Sequence, residues 1–232
     1  MSYNYVLSKR ETNHCGHNRY STLTPTFTMI RRSEANYPSV LREYLGSGAP
    51  ASLSMLGDPV ILKYKAIALF CSVRCPGSLI LQTFDLVREL RDAGVALIGG
   101  FQSPMEKECL SLLLSGKRPV IWCQAKRLPN KQRPKIYAGP LAAGRLLIIS
   151  PFDDLRRATE KSALIRNEFV AALADTIFVS YANPWGMLEK LCRKVLEWNK
   201  ALFTFESTYN AGLIAMGARP CGDFVSSIEL SP

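Results

Sequence analysis

Arg166-Asn167-Glu168-Phe169-Val170-Ala171-Ala172-Leu173-Ala174-Asp175-Thr176-Ile177-Phe178-Val179-Ser180-Tyr181 is the stretch whose reading decides the fold. Ala163, Leu164, Phe169, Val170 and Leu173 recur at helical spacing behind Ser162, a residue type suited to capping a helix. Ile177 to Val179 then make the short apolar run that a parallel strand needs. An amphipathic helix feeding a buried strand is the repeating unit of an α/β sheet. Arg166 rides on that helix and is expected to be free to reach a phosphate.

The same alternation extends in both directions. Upstream, a strand over 66–71 precedes a helix over 76–93 whose inward stripe is Leu79, Ile80, Phe84, Leu86, Val87 and Leu90. A strand over 95–98, a Gly99-Gly100 turn and a helix over 105–114 follow, with Pro104 suited to the first helical turn. Strands over 119–123 and 145–150 lead to the opening unit; a helix over 184–198 and a strand over 201–205 come after it. Strand, crossover and strand repeated this often predict a Rossmann-like α/β domain, a mostly parallel sheet with helices on both faces. Residues 1–54 read differently, being polar, rich in Ser, Thr, Asn and Arg, and broken by Pro25, Pro38 and Pro50. They are expected to form a partly disordered arm or small cap in front of a core domain over 55–232, with one short helix over 37–45 docking through Val40, Leu41 and Leu45.

With 232 residues and 47% hydrophobic composition, the chain can bury a substantial core. Lys and Arg number 29 against 19 Asp and Glu, and the net charge of +10 attracts polyanions: nucleic acid, anionic membrane surface or nucleotides. The 7 cysteines fall mostly in apolar runs (Cys71, Cys109, Cys123, Cys192), which suits reduced thiols in a cytosolic core rather than disulfides. No apolar stretch approaches the roughly 20 residues of a membrane span and the first residues lack a signal-peptide hydrophobic region, so the expected location is cytoplasmic, away from membranes.

In open parallel sheets ligands bind outside the carboxyl ends of the strands, which directs attention to four loops. Ser72 and Arg74 follow the first strand, where Arg74 is either a phosphate ligand or a solvated turn residue. Gly99, Gly100, Phe101 and Gln102 follow the second; the glycines would let a phosphate approach the backbone, and Phe101 either stacks on a base or closes the core. Lys126, Arg127, Lys131 and Arg133 belong to the densest basic run, 126–135, held extended by prolines and suited to tracking a strand backbone. The last loop ends at Gly186. Arg166 and Asn167 approach from their helix. Metal binding by His14-Cys15-Gly16-His17 lacks a partner pair at zinc-finger spacing, so neither metal nor cofactor is expected. No histidine follows His17, and Glu189 is the one carboxylate worth watching for catalysis.

The order of these pieces resembles the Rossmann-type core of the DNA-processing DprA/Smf family, part of a superfamily shared with LOG-like nucleotide phosphoribohydrolases. Tyr37-Pro38 followed by Leu41, the run from Gly57 to Leu62, Ser72-Val73-Arg74 in place of a Gly-Thr-Arg-like turn, and Gly99-Gly100-Phe101 in place of Ser-Gly-Leu carry the likeness. So do Arg166-Asn167 with Ala172 to Asp175, and the late run Asn210 to Ala218. The chain departs from the family pattern at Ser103-Pro104-Met105-Glu106 and at Asn183-Pro184-Trp185-Gly186. The resemblance implies a non-catalytic protein that binds single-stranded DNA in DNA processing, uptake (natural transformation) or recombination, with a recombinase partner and a homodimer. Two alternatives stand beside it: LOG-like cleavage of a nucleoside monophosphate, for which Gly186 and Glu189 faintly echo the required motif, and a sensor of a nucleotide-derived ligand.

Overall fold

The computed structural model describes residues 26–128, 135–222 and 224. In chain order the elements are β1 (Phe27–Arg31), α1 (Ser39–Leu45), β2 (Ser52–Leu56), β3 (Ala66–Cys71), α2 (Gly77–Ala93), β4 (Ala96–Gly99), α3 (Pro104–Leu114), β5 (Val120–Cys123) and α4 (Ala138–Ala142). There follow β6 (Leu146–Ser150), α5 (Glu160–Leu173), β7 (Thr176–Tyr181), α6 (Met187–Glu197), β8 (Ala201–Thr204), α7 (Ala211–Met216) and β9 (Arg219–Pro220). The strands form one nine-stranded sheet in the order β1-β2-β6-β5-β4-β3-β7-β8-β9. From β6 to β9 every pairing is parallel, while β2 and β1 extend the sheet antiparallel.

β3 shows why the central strands are so apolar. Ala66, Ala68 and Phe70 join the core on one face, Ile67, Leu69 and Cys71 the core on the other, and all are buried. A sheet covered by helices on both sides favours apolar residues at both faces and admits a polar one where its hydrogen bonds are met inside. α1, α5, α6 and α7 cover the first face and α2, α3 and α4 the second. On α2 the buried stripe is Leu79, Thr83, Leu86, Val87 and Leu90, with Ile80 and Phe84 only partly covered. Thr83 fits this apolar stripe because its hydroxyl donates to Leu79 O at 2.6 Å. Truncating Leu90 to alanine would cost about 2–5 kcal/mol.

The expected cap at 1–54 is corrected by the described part of it. β1, α1 and β2 belong to the same body, and the boundary at residue 54 falls inside β2. Ile30, Tyr37, Leu41 and Leu53 are all buried in the common core. The polar look of β2 has a local cause: the Ser52 and Ser54 hydroxyls both donate to the Asp153 carboxylate, so two serines fit a buried strand. The helix cap also moves. Thr159, not Ser162, is the N-cap of α5; Thr159 Oγ1 accepts from Ser162 N, and Ser162 Oγ accepts in return from the Thr159 N–H in a reciprocal capping box.

At the other end of α5, Lys200 Nζ donates to Ala171 O, Ala172 O and Ala174 O at 2.9, 2.7 and 2.6 Å and lies 4.1 Å from the Tyr44 ring. A cation there satisfies carbonyls that no helical N–H can reach. Asp175 accepts from Ala66 N at 2.8 Å and so ties the α5–β7 join to the start of β3. Among the described residues, no helix is long and apolar enough to cross a membrane.

Candidate functional site

Strand order lines up the carboxyl ends of β6, β5, β4, β3, β7 and β8 along one edge of the sheet. β3 pairs with β4 on one side and β7 on the other, so the chain reverses its direction of travel across the sheet between β3 and β7. That switch point opens the crevice in which doubly wound folds bind ligands. The four loops singled out in the sequence follow β5, β4, β3 and β7, four neighbouring strands. At the usual inter-strand spacing their bases span about 14 Å.

The crevice floor is already occupied by the protein itself. Glu106, in the first turn of α3 and 7% exposed, accepts hydrogen bonds from Cys71 N at 3.1 Å, Gln102 N at 2.8 Å and Ser103 N at 3.1 Å. These N–H groups, at the ends of β3 and β4 and the start of a helix, are the ones an incoming anion would seek. Ser103 completes the arrangement by accepting from Glu106 N at 3.2 Å, with Pro104 in the first turn. The chain's own carboxylate thus engages these donors from within.

Arg166 lies beside this carboxylate and is 3% exposed. Its Nε donates to Asn167 Oδ1 at 2.8 Å, Nη1 to Cys123 O at 3.2 Å and Nη2 to Gln102 Oε1 at 2.8 Å. Burial pulls the guanidinium below its usual value, and the nearby Glu106 charge opposes that shift. The expectation of a cation reaching outward from α5 is therefore corrected: the exposed neighbour on that helix is Ile165, at 41%. Gly100 is explained by the same packing. A Cβ there would lie 1.8 Å from Arg166 Nη1 and 2.0 Å from its Cζ, so the missing side chain admits a guanidinium. Trp122 Nε1 donates to Gly100 O at 3.1 Å and fixes the turn from the other side.

Phe101 is buried, with a positive φ of 46°, and its ring comes within 3.0 Å of where a Gly99 Cβ would be; it closes the core. Ser72 stitches two loops together: its N–H donates to Tyr181 O at 2.9 Å and its Oγ accepts from Asn183 N at 3.0 Å. Arg74, two residues further, is exposed. Lys126 and Arg127 are also exposed, whereas Lys131, Arg133 and the His14–His17 run lie outside the described residues. Gly186 is the N-cap of α6, where a Cβ would meet Asn183 O at 2.9 Å. Among the described residues no cluster of three or more His, Cys, Asp or Glu is arranged to hold a metal.

Three exposed residues here escape a reading of the sequence alone. Arg156 and Arg157 lie on the loop after β6, and Arg127 N donates to Leu155 O at 2.8 Å, which joins that loop to the basic loop after β5. Asp153-Asp154 just ahead neutralises the local window in sequence, yet Asp153 is engaged by Ser52 and Ser54. The third is Trp185, 86% exposed at the end of the β7 loop. The rim thus carries Arg74, Lys126, Arg127, Arg156 and Arg157 in solvent, above an interior whose charges are hydrogen-bonded. Burial pushes the Cys71 and Cys123 thiols far up and the Cys109 thiol up to about 12, which makes these three thiols poor nucleophiles. Glu189 accepts from Arg193 Nη2 at 2.8 Å and Trp185 N at 2.9 Å, which hold its carboxyl below the usual range. A carboxylate so stabilised is a poor proton donor at neutral pH.

No curated protein matches this chain in sequence. Among solved structures, the fold is similar to DNA processing protein A from Streptococcus pneumoniae, with a TM-score of 0.68 at 17% identity over 84% of this chain and 70% of that one. It is equally similar to DNA processing protein A from Helicobacter pylori, a protein that binds single-stranded DNA: TM-score 0.68, 20% identity, 86% of this chain and 94% of that one. A family model described as DNA recombination-mediator protein A matches residues 28–220, a span that begins in β1 and ends in β9. Sheet order, buried arginine and rim therefore all lie within the matched span, and the chain belongs to the DNA recombination-mediator protein A family.

Proposed function

We propose that this protein binds single-stranded DNA without cleaving it, holding the phosphate backbone along the carboxyl rim of the sheet as part of DNA processing, uptake or recombination. The observation that carries the reading is the placement of Lys126, Arg127, Arg156 and Arg157 on adjoining loops after β5 and β6, with Arg74 after β3 along the same edge of the sheet. Such cations release condensed counterions when they contact phosphates, and this supplies affinity without reading sequence. Family membership and the similarity in fold to a protein that binds single-stranded DNA support the same reading.

The interior supports a polymer over a small nucleotide. Glu106 already uses the N–H groups that a terminal phosphate would take, and its negative charge repels a phosphate placed there. A strand backbone passing over the rim needs none of those groups. A recombinase partner, a homodimer and cytoplasmic residence accompany the proposal as properties expected of a family member.

The test is a titration of oligonucleotide binding against salt. Binding to single strands is expected to fall linearly on a log–log plot, with a slope of about −0.7 for each phosphate contacted. Absent binding, or binding indifferent to ionic strength, would overturn the proposal.

A further inference from the structure

Trp185 combines three properties seldom found together. Its side chain is 86% exposed, its backbone sits at φ 61°, and the conformation is fastened on both sides. The Trp185 N–H donates to Glu189 Oε2 at 2.9 Å, and the next N–H, of Gly186, donates to Asn183 O at 2.9 Å. A bulky residue avoids the left-handed region unless its surroundings impose it, and strain of this kind gathers where a side chain must be displayed. Core packing does not account for it, since the ring lies in solvent.

The place of display is informative. Asn183, two residues before Trp185, donates to the hydroxyl of Ser72, two residues before Arg74, so the two loops adjoin at the switch point. Trp185 and Arg74 thus lie on joined loops at the switch point, and both are exposed. Beyond Gly186, Met187 opens α6 and lines a cleft of about 310 Å³ between α5 and α6. Leu164 and Leu191 add to its apolar lining, while Asn167, Lys190 and the Glu168–Lys194 ion pair contribute polar groups. An exposed aromatic beside a cation, next to an amphipathic cleft, matches what an unpaired nucleobase requires: a π-face, a nearby phosphate ligand and hydrogen-bonding groups at the side.

We infer that Trp185 is a stacking platform for an unpaired base of the bound strand, with Arg74 holding the adjacent phosphate and the α5–α6 cleft receiving the neighbouring base. This inference rests on the proposed binding of single-stranded DNA and gives that site a contact to bases as well as to backbone. It also explains why a large aromatic residue occupies the positive-φ turn.

Two probes separate the inference from the reading beneath it: oligothymidylate, and an abasic phosphodiester of the same length. Trp185→Ala is expected to weaken oligothymidylate binding about tenfold, the loss typical of one stacked base, with an unchanged salt slope. Trp185→Phe should restore most of the affinity. The abasic strand should bind wild type and Trp185→Ala alike, and thermal unfolding should confirm that both variants fold. Oligothymidylate binding by Trp185→Ala at wild-type strength overturns the inference and leaves the phosphate rim standing. An equal loss on both probes overturns it too, by assigning Trp185 to loop structure. Failure of wild type to bind either strand removes the phosphate reading and this one together.

Discussion

Arg166 and Arg74 carry the same side chain to the same edge of the sheet and do opposite things there. Arg166 is enclosed, hydrogen-bonded to Asn167, Cys123 and Gln102, and pressed against a glycine. Arg74 stands in solvent on a turn tied down by Ser72. The inner guanidinium shapes the loops after β4 and β5; the outer one is available to a ligand. A basic residue near a binding edge is thus informative only once its hydrogen bonds are counted, because a buried cation whose donors are engaged has little left to offer an incoming phosphate.

The comparison breaks most visibly at the inner residue. Arg166→Leu should destabilise the fold by about 3 kcal/mol, since it leaves the Cys123 carbonyl and Gln102 without their partner and Glu106 without its nearby positive charge. Urea unfolding measures this; a change within experimental scatter would mean that the interior cluster is not structural. Gly100→Ala comes next, at about 2 kcal/mol, because the new Cβ must displace the guanidinium. In an Arg166→Ala background the same substitution should cost far less, and additive costs in that double-mutant cycle would show that the close approach is not the cause.

Rim substitutions should behave in the reverse way. Arg127→Glu with Arg156→Glu is expected to lower single-strand affinity about tenfold and flatten its salt slope, with stability moving by no more than about 0.5 kcal/mol. Unaltered binding would place the DNA on another surface. The smallest effect belongs to Trp185→Gly, which relieves the positive φ and should raise stability by about 0.5 kcal/mol, the gain being limited by the freer unfolded chain. A clear loss of stability in thermal melts would show that the indole packs in solution instead of standing exposed.

Much of the fold was legible because a doubly covered parallel sheet writes itself in apolar runs: β3 lies at 66–71 as the pattern requires, and β4, β5, β6 and β8 fall within a residue or two of theirs. The antiparallel margin was not. β1 is an edge strand with Phe27 and Met29 both 46% exposed, and β2 hides two serines whose partner, Asp153, is about a hundred residues away. The site divided along similar lines. Strand order was enough to bring the four loops to one edge, but helical periodicity puts a charge outside and an isoleucine inside, and Arg166 with Ile165 inverts that rule. Only the hydrogen-bonding opportunities of Gln102, Cys123 O and a Cβ-free Gly100 make the inversion favourable, and no local window of sequence contains them all. Arg156 and Arg157 stayed hidden for the opposite reason, a neighbouring pair of aspartates that cancels their charge on paper.

The carboxylate of Glu106 has one more effect, on which polymer the rim prefers. Because it fastens both turns before any ligand arrives, the protein surrenders little freedom on association, and the entropic burden of complex formation shifts to the nucleic acid. A flexible, weakly self-stacked tract such as oligothymidylate can drape over a rigid ledge at small expense, whereas oligoadenylate must first give up its own helical stacking. Composition bias would then arise from the strand's own stacking, over and above any contact to its bases.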